Sequence, residues 1–238
     1  MYYITGDIHA EVGRLTEMPA RYGLGKGDTL VVAGDFGCVF GTEGDSARLE
    51  TLAKLPYEIL FLDGNHECFP KIFAFPEEEW NGGRVHRLCP NVLHLMRGQV
   101  YELEGKTVFT MGGGCSIDRV YRREGVSWWP EEMPSDEEYA EARQNLVAHG
   151  RKADILISHA APAHALTLWM QRGVLSYRFD REAKLNGFLE SVRQTVAHER
   201  YYFGHMHLDD ELEPGLIALY HGVYPLFGGE RVPERTPV

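Results

Sequence analysis

Apolar residues in this chain come in short runs, and five of those runs stop at a polar cluster. Runs at 2–5, 29–33, 58–62, 155–157 and 201–203 read as short buried strands. The clusters that follow them are Gly6-Asp7-Ile8-His9, Gly34-Asp35, Gly64-Asn65-His66-Glu67, Ser158-His159 and Gly204-His205-Met206-His207. Between the first three runs the pattern turns helical, over 11–22 and again over 46–55, where Pro56 ends it. The intervening Gly23-Leu24-Gly25-Lys26-Gly27-Asp28 lacks Walker spacing and precedes a strand, so it predicts a turn and not a phosphate loop. The resulting β-α-β-α-β order suits a parallel sheet.

From 84 to 110 the texture changes to closely spaced strand-like runs at 85–88, 92–96, 99–103 and 107–110, with Glu104-Gly105-Lys106 as a hairpin turn. Ser135, with Glu138 three residues on and Gly150 as a stop, marks a helix over 135–149. A second long helix is predicted over 181–198, with Leu185, Leu189, Val192 and Val196 on one face. Short strands return over 212–226, and the polar tail from Gly228, with two prolines, predicts a surface segment. There is no internal repeat or break, so the expectation is one α/β domain over 1–238: two packed sheets with helices on their outer faces.

What the clusters share is donor chemistry. Asp, Asn and His suit divalent cations of hard to borderline character, and strand ends are where open α/β sheets gather their sites. Taken singly, each residue has an ordinary explanation: Asp7 or Asp35 could cap a loop or helix, Asn65 could form a turn, and His159 could be a satisfied core histidine. The repetition is what points to a binuclear centre. If extended geometry persists past the strand ends, Asp7 with His9, and His205 with His207, face one pocket as i, i+2 pairs. Two cations about 3.5–4 Å apart need a bridging anion, and Asp35 is the predicted bridge.

Composition narrows the setting. A formal net charge of −11 opposes binding to long nucleic acids, while two bound cations would offset part of it locally and leave a small phosphorylated substrate acceptable. No apolar stretch approaches the roughly 20 residues that span a bilayer, and the first run begins almost at Met1, so a cytoplasmic location is expected. Cys38, Cys68, Cys89 and Cys115 show no paired ligand spacing. Three of them, Cys38, Cys68 and Cys115, lie near the site loops as small residues in tight turns, with redox control as the alternative.

On its five ordered motifs, from residue 6 to residue 207, the chain resembles the calcineurin-like metallophosphoesterase superfamily, and uncharacterised bacterial and phage members in particular. That resemblance implies a four-layer α/β/β/α sandwich and two divalent cations, with Mn, Fe, Ni, Co and Zn all compatible. It implies a first cation on Asp7, His9, Asp35 and His207, and a second on Asp35, Asn65, His159 and His205. It further implies attack by a metal-bridging hydroxide, with His66 protonating the leaving oxygen or stabilising phosphoryl charge.

The chain departs from the protein phosphatases of that superfamily at two places. Asp63 stands where they carry an arginine before Gly-Asn-His-Glu, and Phe36-Gly37-Cys38-Val39 replaces the Asp-Arg after the second Gly-Asp. A carboxylate at 63 would repel a monoester dianion. Protein phosphatase and symmetrical dinucleoside tetraphosphatase activities are thereby disfavoured, and a small phosphodiester moves ahead of a monoester. Nuclease, nucleotide phosphatase and non-catalytic scaffold remain as alternatives. An insertion at about 112–134 holds Arg119, Arg122 and Arg123, which could grip phosphate, and Trp128-Trp129, which could stack on a base or simply anchor the segment. Tyr177 and Arg178 are weaker lid candidates, and His164 is a candidate neighbour of the centre.

Overall fold

The computed structural model describes residues 1–176 and 180–235, so Tyr177 and Arg178 lie outside the described residues. The chain opens as its pattern predicts, with β1 (Tyr2–Thr5), α1 (Val12–Tyr22), β2 (Thr29–Val32), α2 (Asp45–Leu52) and β3 (Glu58–Phe61). A short α3 (Phe69–Ile72) leads to β4 (Glu77–Trp80), β5 (Gly83–Cys89), β6 (Val92–Leu95), β7 (Val100–Leu103) and β8 (Lys106–Met111). After the 112–134 segment come α4 (Asp136–Ala148), β9 (Ile155–Ser158), α5 (Ala163–Gln171), α6 (Ala183–Thr195) and β10 (Arg200–Phe203). Three short strands, β11 (Asp210–Glu213), β12 (Leu216–Ala218) and β13 (Tyr224–Pro225), follow.

These strands build two mixed sheets, a seven-stranded one in the order β13-β1-β2-β3-β6-β5-β4 and a six-stranded one in the order β11-β12-β10-β9-β8-β7. The strands alternate their faces strictly. In β1 to β3, Ile4, Val31 and Leu60 point between the sheets and meet Ile155, Ile157 and Tyr202 of the other sheet. Their neighbours Tyr3, Leu30, Val32, Ile59 and Phe61 point outward onto Leu15, Met18 and Leu52 of α1 and α2. On the second sheet Leu156, Tyr201 and Phe203 point outward onto Tyr139, Trp169, Leu185 and Leu189 of α4, α5 and α6. Both sheet faces are covered, and this is why the strands read as unbroken apolar runs. Each such side chain taken fully from water stabilises the fold by roughly 1.5–3 kcal/mol.

Local signals hold where they are chemical. Ser135 and Glu138 form the reciprocal capping box, with amide-to-oxygen distances of 2.7 and 3.1 Å. The hairpin turn is tighter than expected: Leu103 pairs with Lys106, leaving Glu104 and Gly105, both with positive φ, as a two-residue loop. The tail lies on α1, where Arg21 and Tyr22 donate to Glu234. Three elements carry no such signal. β4 is an edge strand of three glutamates and a tryptophan, α3 is a single turn, and α5 buries Ala165, Leu166 and Trp169 without a clear polar stripe. Among the described residues no helix is long and apolar enough to cross a membrane.

Candidate metal centre

β1, β2 and β3 run parallel in one sheet, and β9 and β10 run parallel in the other. All five therefore end at a common edge, and the five polar clusters meet there. Ligand atoms of Asp7, His9, Asp35 and His207 lie within 4.8 Å of one another, as do those of Asp35, His159 and His205. Asp35 belongs to both groups. Its Oδ2 is 3.7 Å from His9 Nε2, while its Oδ1 is 3.4 Å from His159 Nε2.

Convergence does not come from the pleat. The strands stop at Thr5 and Phe203, and His9, Asp35, His205 and His207 adopt left-handed backbone conformations with φ between 48° and 68°. His205 and His207 nevertheless line one cavity, as the i, i+2 reading expects, with His207 in the first group and His205 in the second, as the resemblance implies. Left-handed conformations in non-glycine residues cost of order 1–3 kcal/mol each and persist where packing over-determines them. Here the packing includes glycine. A Cβ on Gly64 would lie 2.1 Å from Asp35 Oδ1, so the close approach of the third loop to Asp35 excludes every other residue type.

The donor set fits cations on its own evidence. Asp7 Oδ2 is buried without a hydrogen-bond partner, although His207 Nε2 is only 3.1 Å away, and His9 Nε2 faces His207 Nε2 at 2.9 Å. Two ring nitrogens and an orphaned carboxylate oxygen aimed at one point need a positive charge among them. Burial pushes the Asp7 carboxyl up, yet its contacts with His207 and His9 overcome this and hold it well below the usual range. His159 Nδ1 lies 2.9 Å from the Ala33 carbonyl, an N–H donation that leaves Nε2 with its lone pair facing Asp35 and Asn65 Oδ1, the latter at 3.3 Å.

Surrounding groups fix these loops. Glu67 accepts the Phe36 and Gly37 amides at 2.7 and 3.1 Å, clamping the loop that carries Asp35. Burial, with the Asp35 charge adding to it, pushes the Glu67 carboxyl well up. His66 donates its backbone N–H to Asp35 Oδ1 at 2.8 Å. Its ring is depressed to about 4, chiefly by burial and further by Arg122, so it is neutral at neutral pH despite the opposing charge of Asp35.

A cavity of about 420 Å³ opens over Asp35, Asn65, His66, His205 and His207, with Ile117 and Arg122 also lining it. Arg122 places Nη2 3.1 Å from His66 Nε2 and donates from Nε to Asp118 at 2.8 Å. Arg119 faces elsewhere: it pairs with the buried carboxylate of Glu132 and lies 4.4 Å over the Trp128 ring. Trp129 is buried against Phe40, Cys68 and Phe69, so it anchors the segment and offers no face to a base. His164 pairs with Glu213 at 3.0 Å and joins neither ligand group. Cys38, Cys68 and Cys115 are buried, and burial raises each thiol, which argues for packing over redox control.

Asp63 corrects the sequence reading. Its carboxylate does not face substrate; it is sealed inside, 1% exposed, where Arg97 Nε donates at 2.8 Å and Nη2 at 2.5 Å and His94 Nε2 lies at 3.0 Å. Repulsion of a dianion therefore does not arise from this residue, although the arginine of the phosphatases is still missing there.

The sequence profile of the calcineurin-like phosphoesterases matches residues 2–209. No functionally curated protein matches the chain. Among solved structures, a protein of unknown function from Aquifex aeolicus is similar at 16% identity and a TM-score of 0.36, over 68% of this chain and 79% of that one.

Proposed function

Because the chain belongs to the calcineurin-like phosphoesterase family, we propose that it hydrolyses a small phosphate ester at two divalent cations that share Asp35. The supporting observation is the split carboxylate, one oxygen turned to His9 and the other to His159. Asp7, His9, Asp35 and His207 would hold the first cation, and Asp35, Asn65, His159 and His205 the second. When bound, the cations supply Lewis acidity and lower the pKa of a coordinated water.

The chain's own residues do the positioning. His66 sits at the cavity wall beside Arg122, neutral, with an N–H to donate to a phosphoryl or leaving oxygen. An imidazole of this kind stabilises developing charge by hydrogen bonding more readily than it delivers a proton. Arg122, and not Arg119, is the guanidinium at the cavity. With Asp118 paired to it, net positive charge on the protein side is small, and this favours a monoanionic diester over a dianionic monoester. A scaffold role is disfavoured because no ligand position is substituted.

The test is a side-by-side rate comparison on aryl phosphomonoester and phosphodiester compounds after loading with Mn, Fe, Ni, Co or Zn. Faster diester turnover is expected. Faster monoester turnover in every metal form would overturn the diester assignment, and inactivity in all of them would overturn the enzyme.

A further inference from the structure

Two side chains that neither join the ligand groups nor line the cavity contact the second group from outside. Glu182, just ahead of α6, is 1% exposed, and its Oε2 lies 3.1 Å from His205 Nε2 while accepting the Cys115 amide at 2.7 Å. Its Oε1 accepts from Asn186 Nδ2 at 2.8 Å, and that same nitrogen donates to the Ala161 carbonyl at 2.9 Å. Next to Cys115, Ser116 is buried and its Oγ accepts from Asn65 Nδ2 at 3.2 Å. Ser116 is held in turn by its amide, which donates to Glu132 Oε1 at 2.8 Å.

We propose that Glu182 and Ser116 are positioning residues for the second cation, Glu182 setting the ring of His205 and Ser116 the amide of Asn65. A histidine bonded to a carboxylate through Nε2 carries its proton there, so the lone pair is left on Nδ1, the one ring nitrogen free for a cation. The carboxylate also makes that nitrogen a stronger donor. Ser116 acts by the same logic on a different group. Holding Asn65 by its NH₂ turns Oδ1 toward His159 Nε2, where a cation bound by His159 would meet it. The backbone just ahead of the two contacts lies close against the site: a Cβ on Gly114 would come within 2.9 Å of the His159 ring and 3.3 Å of Asn65 Oδ1. The start of the 112–134 segment is thus built into the metal centre, with Cys115 and Ser116 as its two attachment points.

This assignment rests on the two-cation reading above, and the experiment separates the two. Wild-type, Glu182→Gln and Ser116→Ala proteins are stripped with chelator and titrated with Mn²⁺, following bound equivalents by equilibrium dialysis and metal–metal coupling by electron paramagnetic resonance. Wild type is expected to take two equivalents and give a coupled spectrum. Glu182→Gln keeps the side-chain shape and removes the charge, and it should weaken the second equivalent about 10–100-fold while sparing the first, giving an uncoupled six-line signal at low loading. Ser116→Ala keeps every charge and should weaken the same equivalent toward the low end of that range. Both equivalents held with wild-type affinity in both variants would overturn the proposal, as would equal weakening of the two. Wild type taking fewer than two equivalents would instead overturn the two-cation reading.

Discussion

Replacing Asp63 with Asn tests the buried charge network behind the site. In the folded protein Asp63 accepts both guanidinium donors of Arg97 and faces His94 Nε2, all at 3% side-chain exposure or less. Both Arg97 contacts fall on Oδ2, so asparagine can keep that acceptor only by turning its NH₂ toward His94, and the guanidinium loses its buried counter-charge, retaining Glu138 Oε2 at 3.2 Å and the Glu131 carbonyl at 2.8 Å. Removing one partner of a buried pair costs about 3–5 kcal/mol, and the surviving contacts place this case near 3. At about 2–4 °C per kcal/mol for a chain of this size, the melting temperature should fall by about 6–12 °C. The sign of the pH dependence is also fixed. Burial alone would raise the Asp63 carboxyl, but Arg97 and His94 hold it well below its ordinary value, so its contribution is present above the unfolded carboxylate pKa and is lost as pH falls through the depressed value. The gap in melting temperature between wild type and variant, read by calorimetry, should therefore persist at neutral pH and narrow on strong acidification. Adding Arg97→Met should recover part of the loss by removing the uncompensated guanidinium. A variant melting within about 1 °C of wild type, or one with selectively raised monoester turnover, would refute the placement of this carboxylate.

Asp35→Asn should lower metal content and turnover together, measured by elemental analysis and a diester assay on the same sample; full occupancy with normal turnover would remove it as the shared ligand. His66→Ala should keep its metals and lose about 10²–10⁴-fold in kcat, and an unchanged kcat would exclude it from the reaction. In the pH profile of kcat/KM, a limb from His66 belongs well below the ordinary histidine range, since burial and Arg122 both depress it, and Arg122→Ala should move it upward because a neighbouring cation is gone. The same variant should raise KM, whereas Arg119→Ala should leave KM alone and lower the melting temperature, since its contacts are Glu132 and Trp128. Identical KM effects from the two arginines would contradict this division.

How far the sequence carried can be judged residue by residue. The strands around Ile4, Val31, Leu60, Ile157 and Tyr202 were legible because both faces of each sheet are covered, and a strand buried twice leaves an apolar run that no surface helix imitates. β4 was not legible, because an edge strand of glutamates has solvent on one side and nothing in its composition to announce pairing. The residues gathered at the candidate centre were legible as types at strand ends, yet their geometry was not. Extended chain was the natural continuation, and the structure instead turns at His9, Asp35, His205 and His207. Asp63, Glu132 and Glu182 show where such reading stops. A carboxylate in a polar stretch looks solvated or substrate-facing in one dimension, and only folding brings Arg97, Arg119 and His205 from 34, 13 and 23 residues away to neutralise it. These buried carboxylates do not line the cavity. The chemistry of the site is therefore written in five short motifs, while its rigidity depends on pairings between residues that carry no motif at all. Substitutions among the second set should consequently change metal affinity and stability before they change the reaction performed.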